Sequence, residues 1–229
     1  MSHHRTIYVI DADLASRRAL TAQLAHVGAE AWPFAGGAEF LSMIDHLMPA
    51  CVLLDMDIAE PSGLELLAEL RLRHPGWPVM AMSAAPELRV AVEAMKLGAF
   101  EFLAKPIETE ALAAALVPAF ARLERSLAVT EARRAATDRL SRLSPRELDI
   151  ALALFGGKSN KMAAHMLGIS VRTVEMHRAH IMAKLGVKSL AEAAVLATQA
   201  GLASVARENR PRPIAQVTTL HPRRAVGRS

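Results

Sequence analysis

The stretch Cys51-Val52-Leu53-Leu54-Asp55, followed by Met56-Asp57-Ile58-Ala59-Glu60-Pro61-Ser62-Gly63 and the helical pattern from Leu64 to Leu72, decides the fold. Four apolar residues in a row, without alternation, indicate a strand buried on both faces, as in parallel sheets covered by helices. The run ends on a carboxylate and the chain turns directly into an amphipathic helix. Three other runs share this form: Ile7-Tyr8-Val9-Ile10 ends at Asp11, Val79-Met80-Ala81-Met82 ends at Ser83, and Phe100 to Ala104 ends at Lys105-Pro106. Between them lie helical patterns over Leu14 to Val27 and Leu88 to Leu97. Residues 30–34 supply a weaker second strand, with Pro33 marking it as irregular. The first part of the chain is therefore expected to be an α/β layer fold, a doubly wound five-stranded parallel sheet with five helices.

In open parallel sheets, function collects at the carboxyl ends of the strands. Here those ends bring together Asp11, Asp55, Ser83 and Lys105. Any one of them alone reads as an ordinary polar loop residue. The four in strand order suit phosphoryl transfer onto a carboxylate: one acid helps hold a divalent cation, the other is the nucleophile, and the hydroxyl and ammonium bind phosphoryl oxygens.

Composition narrows the function classes. The chain has 229 residues, enough for two domains, and its hydrophobic content of 52% with 22% charged and 4% aromatic residues is that of an aliphatic-rich globular protein. The single cysteine, Cys51, excludes an internal disulfide framework and fits a reducing compartment. No apolar run approaches the roughly 20 residues of a membrane span, and Met1 to Arg5 lead into the first strand without a signal-peptide apolar region. These features are expected of a cytoplasmic protein with no membrane partner. The net charge of +4 is an average over unlike parts. Lys and Arg number 8 against 15 Asp and Glu over residues 1–120, but 6 against 3 over 121–143, 7 against 4 over 144–202 and 6 against 1 over 203–229. An acidic module followed by a basic one points to a regulatory or catalytic part joined to a polyanion binder.

Residues 108–143 read as one long helix or two in series, with Pro118 expected to bend it or mark a joint. Leu116, Phe120, Leu123, Leu127 and Thr130 form a short heptad-like seam, serving either a solvated tether or the pairing of two protomers. Ser144-Pro145-Arg146-Glu147 is a capping box that opens a helix to Phe155, stopped by Gly156-Gly157. Ser159 begins a second helix through Leu167, Ser170 caps a third over Val171 to Leu185, and a fourth runs from Ser189 to about Ala200. Four short helices with Leu-Gly-Ile-Ser between the second and third read as an all-α helix-turn-helix domain.

On a wheel at 100° per residue, the third helix places Val174, Ile181 and Leu185 inward. Arg172, Met176, Ala179 and Ala183 lie opposite, flanked by Thr173, Glu175 and His180. The alanines admit close approach to a groove, Arg172 and Lys184 are placed for phosphates, and Glu175 and Met176 for base edges. Lys161 and His177 complete the expected DNA-binding set, while Arg178 falls inward and is expected to pair with Glu147. Residues 203–229, with six arginines and three prolines, are expected to be a disordered basic tail, either strengthening nonspecific DNA binding or inert.

These motifs resemble a known family. Residues 5–120, through DMDIAEPSGLELL, AVEAMKLGAFEFLAKP and the strand-end set, are similar to the receiver domain of two-component response regulators. Residues 143–202, through LSPREL, SNKMAAHMLGIS, VRTVEMHRAHIMAKLGVKS and EAAVLA in order, are similar to the LuxR-type helix-turn-helix, and the pairing resembles the FixJ/NarL group. The resemblance implies a receiver over 1–120, a helical linker over 121–142, a DNA-binding domain over 143–202 and a tail beyond. It implies Asp55 as phosphoacceptor, Ser83 as switch hydroxyl, Lys105 as phosphate contact and Phe102 as switch aromatic. Asp11, Asp55 and Asp57 are implied around Mg²⁺, the last normally through its backbone carbonyl, with its carboxylate as an added donor. The implied partners are a sensor histidine kinase, promoter DNA, a second copy of the chain and RNA polymerase. The implied protein is a transcription regulator, not an enzyme.

One departure stands out. The family's paired acids become Asp11-Ala12-Asp13, so Ala12 stands where the acid that ligates Mg²⁺ directly is expected. Weak Mg²⁺ binding with slow phosphorylation is the expectation, or a receiver that serves as a phosphorylation-independent dimerisation or partner-binding module. A flavodoxin-like cofactor binder is disfavoured by the lack of a Gly-rich loop after the first strand, a quorum-type sensor by the scarcity of aromatics, and a redox role for Cys51 by its place in a buried strand.

Overall fold

The computed structural model describes residues 5–202, so the expectation of a disordered basic tail falls outside the described residues. The chain divides into two compact units, the first ending at Glu131 and the second beginning at Ala132.

The first unit is built on strands β1 (Thr6–Ile10), β2 (Glu30–Phe34), β3 (Cys51–Asp55), β4 (Val79–Ser83) and β5 (Glu101–Ala104), all parallel, in the order β2-β1-β3-β4-β5. Helices α1 (Leu14–His26), α2 (Gly37–Met43), α3 (Gly63–Arg73), α4 (Leu88–Leu97) and the start of α5 (Thr109–Leu140) cover it. Alternation along the central strands sorts their side chains into two cores. Ile7, Val9, Leu53, Met80 and Met82 pack with Leu20 and Leu24 of α1 and Leu112 and Leu116 of α5. Tyr8, Ile10, Val52, Leu54 and Ala81 pack on the other face with Phe40, Leu66, Leu67, Leu70 and Ala94 of α2, α3 and α4. All of β3 is buried, which is why its sequence shows no alternation. Pro33 lies in β2, the edge strand beside β1, where a missing N–H is tolerated.

The reversal of winding at β1 and β3 places the ends of these two neighbouring strands, Asp11 and Asp55, at the switch point of the sheet. Met56 N–H extends the pairing by donating to the Met82 carbonyl at 2.7 Å. Gly63 lets the start of α3 lie against this loop: a Cβ there would stand 2.5 Å from Met56 Cα and 2.9 Å from the Asp55 carbonyl oxygen. Ser62 caps α3 in a reciprocal capping box with Glu65.

Helix α5 is continuous across Pro118, so of the bend or joint expected there the joint into two helices is absent. Losing one hydrogen bond is offset locally by burial of Leu116, Ala119 and Leu123 against the sheet. The heptad-like seam is thus used at its start: Leu116 and Leu123 are core residues and Phe120 packs on them, while Leu127 and Thr130 are exposed.

The second unit contains the last turns of α5 with α6 (Pro145–Phe155), α7 (Asn160–Leu167), α8 (Val171–Leu185) and α9 (Leu190–Gln199). Ser144, Ser159, Ser170 and Ser189 cap their helices through their side chains. Gly168 and Gly186 end α7 and α8 at φ 65° and 61°, backbone that favours glycine. The core gathers Ala136, Leu140, Ile150, Leu154, Ala163, Val174, Ile181, Leu185 and Leu196, including the three residues of α8 placed inward by the wheel.

Candidate functional site

At the strand ends, Lys105 Nζ lies 2.7 Å from Asp11 Oδ2 and 2.8 Å from Asp55 Oδ2, bridging two buried carboxylates. Asp11 is further held by Ser16 Oγ at 2.6 Å and the Asp13 N–H at 2.8 Å, and Arg17 donates to its backbone carbonyl at 2.5 Å. Asp55 Oδ1 accepts from the Asp57 N–H at 3.2 Å. Asp57 turns its own carboxylate to β4: Ser83 Oγ donates to Oδ2 at 3.2 Å and the Ala84 N–H donates to Oδ2 at 3.1 Å. Asp13 is the N-cap of α1, its carboxylate accepting from Ala15 N–H at 2.7 Å. Phe102, on β5, is half-buried against the α2/α3/α4 core.

Burial alone would push both carboxyls up. At Asp11 it is outweighed by the Lys105 ammonium, the Ser16 hydroxyl and the Asp13 N–H, so Asp11 stays below the ordinary carboxylate range. At Asp55 burial prevails over the same ammonium, aided by the negative charge of Asp11, and its carboxyl lies above the ordinary range. Burial opposes the charge on Lys105, but the two carboxylates more than compensate and raise its value. The result is one firmly ionised acid, one less stabilised carboxylate and a fixed cation between them. Cys51 is pushed up to about 12 by burial, which makes it an inert core thiol.

Among the described residues, no group of three or more His, Cys, Asp or Glu side chains is arranged to hold a metal ion. Mg²⁺ keeps several waters and needs only one or two carboxylates. Asp11 and Asp55 meet that minimum, and Ala12 adds no donor. Ser16 and Arg17 were not singled out from sequence. The signal for them was the Asp13 cap, which sets α1 so that its first turn faces Asp11.

In the second unit, Lys161, Arg172, Glu175, Met176 and Ala179 are exposed, and Thr173 and His177 are half-buried. Thr173 Oγ1 is 2.8 Å from Ser170 Oγ, so its hydroxyl also closes the cap of α8. The expected pairing of Arg178 with Glu147 is corrected: Lys184 Nζ makes that bond, at 2.7 Å, and Arg178 is exposed. Lys184 and the capping-box bond from the Ser144 N–H hold the Glu147 carboxyl down at about 2. Arg139, on the last turn of α5, donates from Nε to the Leu185 carbonyl at 2.9 Å and so caps the C-terminus of α8. Arg146 donates likewise to the Leu167 carbonyl at 2.8 Å. No helix among the described residues is long and apolar enough to cross a membrane.

Comparison with known proteins places both parts of the chain in known families. Residues 7–117 match the model of the response regulator receiver domain, and residues 141–197 that of bacterial regulatory proteins of the luxR family. The transcriptional regulatory protein FixJ of Bradyrhizobium diazoefficiens is 36% identical over 196 residues, spanning 86% of this chain and 96% of the relative. FixJ of Azorhizobium caulinodans is 38% identical over 197 residues, spanning 86% and 93%. Among solved structures, the response regulator StyR superposes with a TM-score of 0.71 at 33% identity, over 85% of this chain and 98% of that one. Full-length FixJ from B. japonicum superposes with a TM-score of 0.53 at 35% identity, over 88% and 99%. A receiver with a carboxylate–ammonium–carboxylate bridge at its switch point, joined to a capped helix-turn-helix, therefore has full-length counterparts: the chain belongs to the response regulators of the FixJ/NarL type, transcription regulators that join a receiver to a LuxR-type DNA-binding domain.

Proposed function

We propose that the chain regulates transcription by accepting a phosphoryl group on Asp55 from a sensor histidine kinase and binding promoter DNA through α8. The observation that carries this reading is the Lys105 bridge. It sets Asp55 as the less stabilised of two carboxylates, with a cation 2.8 Å from one oxygen and the Asp57 N–H on the other. An Asp55 oxygen attacks phosphorus, the phosphorus–nitrogen bond of the donor phosphohistidine breaks, and the nitrogen keeps that electron pair. Lys105 neutralises charge developing on the phosphoryl oxygens, and Ser83 is the hydroxyl placed to follow them. Receiver domains bind Mg²⁺; here Asp11 and Asp55 would hold it, and it would neutralise phosphoryl charge. With Ala12 offering no donor, Mg²⁺ binding is weaker than with a second acid at that position.

On the output side, Glu175, Met176 and Ala179 face the bases, Lys161 and Arg172 face phosphates, and Thr173 and His177 line the edge of the contact. Lys184 reaches phosphate only if it leaves Glu147. Binding is by a homodimer on half-sites about one helical turn apart, in the cytoplasm where promoter DNA and RNA polymerase are found. The protein acts as a regulator and turns over no substrate of its own. Titrating the full chain with a beryllofluoride-type phosphoryl mimic in Mg²⁺ tests the reading. Saturable binding that is lost in Asp55→Asn supports it. A chain that dimerises and binds DNA without ever taking the mimic contradicts it and favours the phosphorylation-independent module.

A further inference from the structure

Asp57 has a use that its place near a metal site does not account for. Its carboxylate accepts from Ser83 Oγ at 3.2 Å (Oδ2) and 3.4 Å (Oδ1), and from the Ala84 N–H at 3.1 Å. The Ala85 N–H donates to Ser83 Oγ at 3.2 Å, so the hydroxyl accepts there and spends its proton on Asp57. Asp55 is in register with Met82 on the neighbouring strand, which sets Ser83 and Ala84 just beyond the phosphoacceptor, where a phosphoryl group extending from Asp55 in the proposed function would meet them. The hydroxyl and N–H that a phosphoryl oxygen would use are thus already taken by an anionic oxygen belonging to the chain itself. Asp57 is exposed, unlike the buried Asp11, so its carboxylate returns to water when displaced at little cost in desolvation.

We propose that Asp57 is an internal occupant of the phosphoryl-oxygen site, holding Ser83 and Ala84 until a phosphoryl group on Asp55 displaces it. Asp57 is a positioning residue in this scheme, and it sets how readily the receiver responds. Two effects act together: the incoming group must replace two existing hydrogen bonds, and it brings further negative charge beside a carboxylate. The inference rests on Asp55 as the phosphoacceptor. It assigns to the Asp57 side chain the opposite sign from a metal ligand, because removing a competitor tightens binding and removing a ligand weakens it.

The test is the affinity of the full chain for beryllofluoride at saturating Mg²⁺, followed by fluorine NMR, in the wild type, Asp57→Asn, Asp57→Ala, Ser83→Ala and the Ser83→Ala/Asp57→Ala pair. Asp57→Ala is expected to bind about tenfold more tightly, from two hydrogen bonds of ordinary net strength no longer opposed, with Asp57→Asn between it and the wild type. The gain is expected to shrink in the Ser83→Ala background, a coupling that a general change in folding would not produce. Binding by Asp57→Ala equal to or weaker than the wild type overturns the proposal while leaving Asp55 as acceptor. Weaker binding by Asp57→Ala at the Mg²⁺ concentration that saturates the wild type, restored when Mg²⁺ is raised above it, would make Asp57 a metal ligand instead and overturn the proposal. No binding by the wild type with binding by Asp57→Ala supports the proposal, and no binding by any variant overturns both it and the phosphoacceptor reading.

Discussion

Replacing Lys105 with methionine keeps most of the side-chain volume and removes one charge, leaving Asp11 and Asp55 facing each other. Asp11 is fully buried, the Asp55 side chain is 8% exposed and that of Lys105 15%, so little solvent screens what remains. Removing one partner of a buried ion pair costs about 3–5 kcal/mol. With a urea m-value of about 1–3 kcal/mol/M, the unfolding midpoint should fall by roughly 1–5 M. Both tryptophans, Trp32 and Trp77, lie in the first unit, so their fluorescence in the full chain reports that unit's unfolding alone. The loss should depend on pH in a definite sense. In the wild type, Asp11 titrates below its unfolded value, so its stabilisation is present above about pH 4 and is lost as pH falls. In Lys105→Met, burial and mutual repulsion raise both carboxyls above their unfolded values, and the variant gains stability as they protonate. The difference between the two proteins should therefore be largest at neutral pH and narrow on acidification. The loss should shrink in an Asp11→Asn background, where Lys105 keeps only Asp55 as a charged partner and no mutual repulsion remains. A loss below about 1 kcal/mol, typical of exposed pairs, or one independent of pH and of Asp11, would refute the bridge as the organising interaction.

Other consequences follow from the same geometry. Glu147, held at about 2 by Lys184 and the Ser144 N–H, stabilises the second unit above its unfolded value of 4.5, and that contribution is lost as pH falls toward 2. Hydrogen exchange in α6 should show this acid lability, and Glu147→Gln should flatten it. Gly63→Ala must displace the loop after Asp55, at a cost of about 1–3 kcal/mol with slower phosphoryl uptake; Gly36→Ala, where a Cβ meets nothing within 4 Å, should change neither. For Arg172→Ala, the slope of log affinity for duplex DNA against log salt should fall by about one. An unchanged slope would remove Arg172 from the phosphate contacts.

Much of this was legible in the sequence because the signals are local. Uninterrupted apolar runs that end in Asp11, Asp55 and Ser83 follow from strands buried on both faces, while the edge strand β5, interrupted by the exposed Glu101, ends at Lys105, and the sheet brings the four ends together. The four serine caps of the second unit follow from the need of helix N-termini for acceptors. What was not legible depends on reach and competition. A wheel gives an angle for Arg178 but does not say that the flexible stem of Lys184 carries its ammonium to Glu147. The Pro118 joint is absent because a lost hydrogen bond is a smaller term than the burial of Leu116, Ala119 and Leu123 around it. The carboxylate of Asp57 could point to a metal or to β4 with equal local sense, and only the loop geometry shows it on Ser83 and Ala84.

In the proposed function Asp55 accepts a phosphoryl group at a site organised by Lys105. Intact mass of the full chain after exposure to a small phosphodonor with Mg²⁺ tests it most directly. The wild type should gain one phosphoryl group and Asp55→Asn none. An unmodified wild type, or equal modification of Asp55→Asn, would show that Asp55 is not the phosphoacceptor.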